Sequence, residues 1–446
     1  MRERKPEEQE QLKGYVQGKG TKSAAGDEAD GGSDDEGRES FSFLQETIKP
    51  KAVTREQIFM QVVKTAFYGL IIGLSACCGF YALKPWAEHA FQEETQEVTL
   101  PEEKVEEEPE TVEEEEEPEP VVPVLTADSY KEIMQSLYAI VKEADKSIAY
   151  IRKAGEDSMQ GEHGIYGGIT GAIVADNGQN LLIFGDNSIC EDTEQWDAVF
   201  SDGSRHPATL IKQDGNRGLA VFGVEKASIE ENTWSTIQIA ELGNSNISAR
   251  GDVVIALGGM FGYENGIGYG VISSKDYSTY YGDGQCGVIA TDIAAAPGGT
   301  GVLFNQKGQV LGLLKGGLFG EADSGPANAL AISDMKPVME LLLNGDSIPY
   351  VGVSGTTVTD ELFEEQGIPK GLYVTNVQTD SPAMKAGIQN GDVIQEVKSS
   401  KVTGTSSYEK AVLECKAGEN VKIKGRRLGN GGYVSVDFTV SVGSMD

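Results

Sequence analysis

The side chains of this sequence that could do chemistry are a few histidines, cysteines and hydroxyl groups. The histidines are His89, His163 and His206, and the cysteines are Cys77, Cys78, Cys190, Cys286 and Cys415. The cysteines after residue 78 lack the C-x-x-C spacing of a metal site, so the sequence predicts no metal and no cofactor. They are predicted to be buried apolar side chains, with a Cys190–Cys286 disulfide left open.

One hydroxyl group, that of Thr300, lies in the glycine-rich run PGGTGV at 297–302. A threonine hydroxyl can attack a carbonyl carbon, but it needs an activating base or a free N-terminal amine. The sequence offers neither for Thr300.

Short apolar runs bounded by Gly, Asn and Asp surround this site and continue to about residue 335. They include residues 170–174, 181–184, 219–224, 253–257, 288–290 and 310–314. Many short strands with turn signals and no intervening helices predict a β-sandwich or barrel. An amphipathic helix precedes them, because apolar residues recur at i, i+3 and i+4 from Tyr130 to Val141, with Thr126 or Asp128 as the N-cap.

Seven segments within residues 165–345 form an ordered set. They are GAIVADNG at 171–178, VFSDGS at 199–204, GLAV at 218–221, GDVVIALG at 251–258, TDIAAAPG at 291–298, NQKGQVLG at 305–312 and ISDMKPVM at 332–339. In this order they resemble the trypsin-like domain of HtrA-type serine proteases. The resemblance implies a double β-barrel and hydrolysis of peptide bonds by a Ser, a His and an Asp from three separate loops.

All three catalytic positions implied by the resemblance carry other residues. Asn187 stands where the family has His, Gly218 where it has the Asp before L-A-V, and Thr300 nearest the Ser, in a loop one residue shorter. His206 is too far past the first loop to act as the base. Loss of the nucleophile or base of such a triad costs roughly a millionfold in kcat. The sequence therefore predicts a pseudoprotease, and a divergent serine-type endopeptidase that uses Thr300 or another hydroxyl remains the alternative.

The last segment, 346–446, contains YVGV at 350–353 and SPAMKAGIQNGDVI at 381–394. These motifs resemble the α+β PDZ domain of HtrA-type proteins. The resemblance implies that Tyr350, Val351, Gly352 and Val353 form a loop in which the N–H groups of Val351 to Val353 bind the C-terminal carboxylate of a peptide. The extended peptide then adds a strand to the sheet edge. Val353, Ile394 and Val412 are the candidates for the wall of the pocket for its last side chain. A PDZ domain that only packs on the barrel is the alternative.

The N-terminal part predicts a membrane anchor. Residues 1–57 are polar and acidic, as in a disordered tail. Residues 58–84 are predicted to form a transmembrane helix, because the 19 residues at 65–83 carry no charge and can cross the ~30 Å hydrocarbon core. Basic residues precede this run and acidic ones follow it, so the tail is predicted to be cytoplasmic. Residues 85–125, rich in Glu and Pro, are predicted to be an extended extracytoplasmic linker.

The predicted fold class is therefore mainly β, with one transmembrane helix, a trypsin-like double barrel at 126–345 and a PDZ domain at 346–446. The formal net charge of −33 argues against a nucleic-acid partner, because little would neutralise phosphates. The resemblance implies peptide C-termini or unfolded envelope proteins as partners, a homo-oligomer such as a trimer, and a role in protein quality control or scaffolding at a bacterial cell membrane. An assembly protein that uses only the barrel surface is a further alternative.

Overall fold

The computed structural model describes residues 60, 64, 67, 68, 70, 74, 96–100, 126–155, 167–191, 195–318 and 325–446. The chain divides into two units, Met1–Glu88 and His89–Asp446. The predicted tail, 1–57, lies outside the described residues, as do most of the predicted transmembrane helix, 58–84, and most of the predicted linker, 85–125. None of the helices within the described ranges has an apolar stretch long enough to cross a membrane.

The described part of the predicted linker, residues 96–100, contacts the folded unit. Val98 is buried, and its N–H donates a hydrogen bond of 2.9 Å to the side chain of Asn344. The N–H of Gln96 donates to the carbonyl of Asn177 at 3.0 Å. An apolar side chain within a charged stretch gains free energy by leaving water, which explains why this piece of the linker packs on the unit instead of extending into solvent.

Helix α1, Ala127–Ala144, begins at the predicted N-cap: the side chain of Thr126 accepts a hydrogen bond from the N–H of Ser129, as is typical of a helix start. Its last turn buries Val141 and Ala144, whereas Tyr130 and Ile133 are exposed. A short 3₁₀ helix, Asp145–Ser147, leads into the first strand.

The first barrel consists of antiparallel strands β1 to β6. Their bounds are β1 Ile148–Lys153, β2 Ile169–Asp176, β3 Asn180–Asp186, β4 Trp196–Val199, β5 Arg205–Asp214 and β6 Leu219–Glu225. They close in the order β1-β2-β3-β6-β5-β4. A 3₁₀ turn, Lys226–Ser228, and the short helix α2, Glu231–Trp234, follow the last strand.

The second barrel repeats this design with strands β7 to β12. Their bounds are β7 Val253–Gly258, β8 Gly266–Tyr281, β9 Gly284–Ala295, β10 Gly301–Asn305, β11 Val310–Leu314 and β12 Gly325–Ala331. They close in the order β10-β11-β12-β9-β8-β7. Strands β8 and β9 form a long hairpin that pairs Tyr281 with Gly284 at its end, so Gly282 and Asp283 form its turn.

Helix α3, Ile332–Leu343, lies next to both barrels and buries Met335, Val338, Met339 and Leu342 along one side. These side chains belong to an apolar cluster that also contains residues of the two barrels. Each large side chain buried in this way contributes roughly 1.5–3 kcal/mol relative to exposure. The predicted mainly-β double barrel is confirmed.

The C-terminal part is a mixed α+β domain. Its strands are β13 Val353–Thr357, β14 Leu372–Val377, β15 Val393–Val397, β16 Ser400–Lys401, β17 Asn420–Gly429 and β18 Gly432–Ser441. The sheet runs in the order β13-β14-β15-β17-β18, and β16 pairs with β15. Helices α4 Asp360–Gln366, α5 Pro382–Ala386 and α6 Thr405–Leu413 complete it.

The motif SPAMKAGIQNGDVI forms helix α5 and the turn that follows it. Ser381 caps α5 by accepting a hydrogen bond from the N–H of Met384, and Gly387 ends that helix with a φ of 85°. Glycine is favoured at such a left-handed C-cap because it has no Cβ. The side chain of Asp392 accepts from the N–H of Gln389 at 2.9 Å, which fixes the following turn.

Candidate functional site

Two of the three predicted triad positions, Asn187 and Gly218, lie next to each other in the first barrel. The N–H of Asn187 donates to the carbonyl of Gly218 at 3.2 Å. Gly218 has a φ of 70°, and a Cβ there would lie 2.5 Å from Nζ of Lys315. The lysine of the second barrel therefore occupies the space next to position 218 into which a side chain would extend.

Lys315 binds this corner of the first barrel through two contacts. Its Nζ donates to the carbonyl of Gly218 at 3.0 Å and forms an ion pair with the carboxylate of Asp186. Asp186 is buried and also accepts the N–H of Ser188 at 2.7 Å. A buried carboxylate needs such partners, so Lys315 has a structural role at the place where the resemblance implies a catalytic base.

Thr300 is only 4% exposed. Its Oγ1 accepts a hydrogen bond of 2.9 Å from the N–H of Thr170. The hydroxyl of Thr170 in turn accepts the N–H of Gly259 at 3.0 Å. These bonds connect strand β2 of the first barrel to two loops of the second, so Thr300 serves as a structural acceptor between the barrels.

The histidines do not supply a base to Thr300 in the part of the chain that the structure describes. His206 is buried on β5, with Nδ1 2.9 Å from the carbonyl of Ser228 and Nε2 3.3 Å from the hydroxyl of Ser204. His89 and His163 lie outside the described residues. The nucleophile and the base of a hydrolytic triad must be within hydrogen-bonding distance, and His206 is bonded elsewhere.

The predicted carboxylate-binding loop, Tyr350 to Val353, is held in shape by its neighbours. Tyr350 exchanges backbone hydrogen bonds of 2.9 and 2.8 Å with Gly443, and the carbonyl of Val351 accepts the N–H of Ala383 at 2.8 Å. Gly352 has a φ of 89°, and a Cβ there would collide with the side chain of Ser381. With these constraints, three successive N–H groups point to one place.

That place holds a carboxylate of the same chain. Oδ2 of Asp283, in the β8–β9 turn, accepts the N–H groups of Val351 and Gly352 at 2.6 and 2.7 Å. Its Oδ1 accepts the N–H of Val353 at 3.0 Å and the hydroxyl of Tyr408 at 2.7 Å. The backbone N–H of Asp283 donates to the carbonyl of Val353 at 2.7 Å. The loop N–H groups thus bind a carboxylate of the second barrel. That they bind the C-terminal carboxylate of a peptide stays a prediction.

The ionisation of this group follows from its contacts. Burial raises the pKa of Asp283, and the bonds from the loop N–H groups and from Tyr408 oppose that shift. Burial, together with the charge of Asp283, raises the pKa of Tyr408 well above its usual value, so the phenol keeps its proton and donates it. All four groups bonded to the carboxyl oxygens are donors, which is the pattern of an ionised carboxylate.

Further contacts hold the turn in place. The side chain of Asn216 donates to the carbonyl of Gly282 at 2.8 Å and accepts its N–H at 3.1 Å. Arg217 is buried and pairs with Asp214 of the first barrel at 3.1 Å and with Glu409 of α6 at 3.2 Å. The first barrel, the β8–β9 turn and the C-terminal domain therefore meet in one polar network.

The predicted pocket residues Val353, Ile394 and Val412 are all fully buried in the apolar core of the C-terminal domain. Val353 also lines a small cavity, together with Leu372 and Tyr408 of that domain and Tyr280 and Tyr281 of the hairpin. That Val353, Ile394 and Val412 receive the last side chain of a peptide stays a prediction.

The cysteines and acidic groups form no metal site in the described ranges, since no cluster of three or more His, Cys, Asp or Glu is placed to hold an ion. Cys190, Cys286 and Cys415 are free thiols, so the disulfide that the sequence left open is absent. Burial and, secondarily, the charge of Asp186 raise the pKa of Cys190 to about 12.

Comparison with known proteins agrees with this geometry. Residues 169–313 match the model of the trypsin-like peptidase domain, and residues 349–440 match that of the PDZ domain. The described domains are therefore similar to those of HtrA-type proteins. In this chain the trypsin-like peptidase domain comes first and the PDZ domain second.

Curated relatives share this sequence similarity over part of their length. The Bacillus subtilis (strain 168) protein named serine protease Do-like HtrA is 29% identical over 280 residues, covering 58% of this chain and 61% of that protein. A probable periplasmic serine endoprotease DegP-like of Pseudomonas putida (strain GB-1) is 29% identical over 287 residues, covering 62% and 56%. The chain thus spans about three fifths of the length of these HtrA-type relatives.

Solved structures agree on the fold. The HtrA-type protease AlgW with a decapeptide has a TM-score of 0.50 at 22% identity, covering 70% of this chain and 99% of that one. AlgW with a tripeptide also has a TM-score of 0.50 at 22% identity, covering 69% and 96%. At this level of identity the likeness concerns the fold alone.

No local sequence pattern identifies Asp283, Tyr408 or Lys315 as parts of the site. Asp283 followed by Gly284 reads as a hairpin turn, which it is, with a φ of 67° at the aspartate. Nothing local in sequence says that this turn meets a loop about 70 residues later. Lys315 likewise follows an apolar strand and has no motif around it.

Proposed function

We propose that the protein is a membrane-anchored, HtrA-like pseudoprotease that binds the C-termini of peptides or unfolded proteins through its PDZ domain, in envelope quality control or scaffolding. The observation that carries this proposal is the bonding of Thr300. Its hydroxyl is buried and accepts a backbone N–H, at the position where the relatives' motif has the nucleophile.

The neighbouring positions support the loss of hydrolysis. An attacking hydroxyl must transfer its proton to a base, and positions 187 and 218 carry an amide and a glycine. Lys315 fills the space beside Gly218 and neutralises Asp186. Hydrolysis would therefore require the hydroxyl of Thr300 to break its hydrogen bond with Thr170. It would also require a base next to Thr300, which none of these residues supplies.

The retained loop supports peptide binding. Three backbone N–H groups, from Val351, Gly352 and Val353, converge on one carboxylate with distances of 2.6 to 3.0 Å. Backbone donors that converge in this way recognise a peptide terminus, while β13 at the sheet edge can pair with its backbone. The loop has kept the geometry for a carboxylate although the triad positions have changed.

The anchor, the orientation, the domain boundaries and the oligomer are parts of this proposal. The uncharged run at 65–83 supports a single span with the N-terminus in the cytoplasm. The P. putida relative is named as periplasmic, which agrees with an extracytoplasmic location for the two domains. A homo-oligomer, for example a trimer, remains a prediction.

A divergent serine-type endopeptidase is the second candidate. It is favoured by the names of the relatives, which are serine proteases. In this reading Thr300 or another hydroxyl acts as the nucleophile after a rearrangement of the loop at 297–302.

The two candidates differ in one assay. Full-length protein and its Thr300→Ala variant are incubated with unfolded casein, with trypsin as the positive control, and the fragments are measured. We expect no cleavage by either protein. Cleavage by the wild type that disappears in the variant would establish the endopeptidase, whereas equal cleavage by both would show that Thr300 is not the nucleophile.

Peptide binding is tested on the same protein with fluorescein-labelled decapeptides randomised at their last three positions. We expect binding of peptides with a free C-terminal carboxylate and at least roughly tenfold weaker binding of the amidated peptides, because the amide removes the charge that the loop N–H groups bind. Equal binding of the two forms would refute recognition of the C-terminus.

A further inference from the structure

The carboxylate-binding loop is the site of the proposed function, and in this structure it is already filled. Asp283 accepts the N–H groups of Val351, Gly352 and Val353, and its own N–H donates to the carbonyl of Val353 at 2.7 Å. A bound peptide would make the same two kinds of contact through its terminal carboxylate and its backbone. The β8–β9 turn thus presents to the loop the groups that a peptide C-terminus presents.

We infer that Asp283 is an internal ligand that closes the PDZ loop, so that a peptide C-terminus binds only when it displaces the β8–β9 turn. This inference rests on the proposed function, since it concerns the regulation of the same site.

The loop cannot bind the carboxylate of Asp283 and that of a peptide C-terminus at the same time, because it has too few N–H donors. Each loop N–H carries one hydrogen, and all three donate to Asp283 at 2.6 to 3.0 Å. Asp283 is 2% exposed, so the cradle has no open side for a second anion. Two carboxylates that share such a site also repel each other. Binding of the peptide and closure by Asp283 therefore compete.

Displacement of Asp283 would also affect contacts outside the loop, because the closed state connects the PDZ domain to both barrels. Tyr408 of α6 donates to Asp283. One residue further along α6, Glu409 pairs with Arg217 and accepts the N–H of Gln285 from β9 at 3.4 Å. Arg217 directly precedes Gly218, whose carbonyl binds Asn187 and Lys315. Withdrawal of the turn would loosen the contacts between the PDZ domain and both barrels next to the former catalytic positions.

Closure of the loop by Asp283 lowers the apparent affinity for a peptide. When only a fraction of the molecules is open, the apparent Kd of a ligand is its intrinsic Kd divided by that fraction. A closed state that dominates by tenfold to a hundredfold weakens peptide binding by the same factor. Removal of the internal carboxylate should therefore increase the affinity for the peptide by the same factor.

The test uses the full-length protein with two substitutions of the internal ligand. Asp283→Asn removes the charge, and Asp283→Gly removes every side-chain acceptor while suiting the φ of 67° at this position. Asp276→Asn, which changes an exposed aspartate of the same β8 strand, is the matched control for net charge. Thermal unfolding verifies that each variant is folded.

The first readout is fluorescence anisotropy with the randomised decapeptides described above. We expect both Asp283 variants to bind the free-carboxylate peptides roughly tenfold to a hundredfold more tightly than the wild type, and Asp276→Asn to bind as the wild type does. Equal affinity of the wild type and the Asp283 variants, with amidated peptides still excluded, overturns the inference and leaves the proposed function intact.

The second readout needs no peptide. Hydrogen exchange at the amides of Val351, Gly352 and Val353 reports their bonds to Asp283, and we expect faster exchange in Asp283→Gly than in the wild type and in Asp276→Asn. Unchanged exchange contradicts closure by Asp283 whatever the peptides do. Faster exchange without peptide binding by any variant supports closure but refutes the proposed function, so the two failures are distinguishable.

Discussion

The hydroxyl of Tyr408 donates a hydrogen bond of 2.7 Å to Oδ1 of Asp283. Both residues are buried, and they come from the PDZ domain and from the second barrel. This bond completes the set of donors around the carboxylate, because the other three come from one backbone loop. The position of the PDZ domain and the state of its binding loop therefore depend on the same contact.

Tyr408→Phe should lower the free energy of unfolding by about 1.5–3 kcal/mol, since a hydrogen bond to a buried charged group is lost. The measurement is a urea titration of the full-length protein. Tyr263→Phe removes a hydroxyl from an exposed ring and should change the free energy by less than about 0.5 kcal/mol. Equal effects of the two substitutions would show that the hydrogen bond between Tyr408 and Asp283 does not stabilise the protein.

Gly218→Ala should destabilise the protein for two separable reasons. The φ of 70° is unfavourable for alanine, at a cost of roughly 1–2 kcal/mol, and the new Cβ would lie 2.5 Å from Nζ of Lys315. Gly178→Ala is the control, because Gly178 has a φ of 93° with nothing within 4 Å of a Cβ. Chemical unfolding should show a larger loss of free energy of unfolding for Gly218→Ala than for Gly178→Ala. Equal losses would show that the side chain of Lys315 moves aside without destabilising the protein.

Arg217→Met should cost about 3–5 kcal/mol of stability, because it leaves Asp214 buried without its cation. Lys226→Met breaks the ion pair of Lys226 with Asp176, whose side chains are 31% and 28% exposed, and should cost only about 0–1 kcal/mol. The two losses are compared by urea unfolding of the variants. A loss for Arg217→Met no larger than that for Lys226→Met would show that the buried ion pair of Arg217 and Asp214 stabilises the protein no more than a partly exposed one.

Cys190 should react slowly with iodoacetamide although its side chain is partly exposed. Its pKa of about 12 leaves little thiolate at pH 8, and the thiolate is the nucleophile. We expect labelling at least about a hundredfold slower than that of free cysteine, whose pKa is about 8.5, with a rate that rises as the pH increases from 8 to 10. Peptide mapping by mass spectrometry, with Cys190→Ser to assign the site, measures this rate, and labelling as fast as that of free cysteine would contradict the raised pKa.

Residues close together in the chain account for the local structure. Alternating and continuous apolar runs specified strands such as β2, β3, β6 and β7, because the side chains of a strand that faces a core must be apolar. Thr126 was one of two candidate N-caps of α1, because a cap is formed by residues close in sequence. Ser381 and Gly387, which cap α5, also lie within one short motif. The YVGV motif likewise identified a loop that binds a carboxylate.

The contacts between groups far apart in the chain depend on how the domains pack. Thr300 bonds to Thr170, Lys315 to Gly218 and Val351 to Asp283, across separations of 130, 97 and 68 residues. Each pair satisfies a buried polar group, and its partner depends on how the two barrels and the PDZ domain pack, which no local pattern encodes. The sequence therefore predicted a loop able to bind a carboxylate, whereas the packing of a distant hairpin decided that its occupant is Asp283.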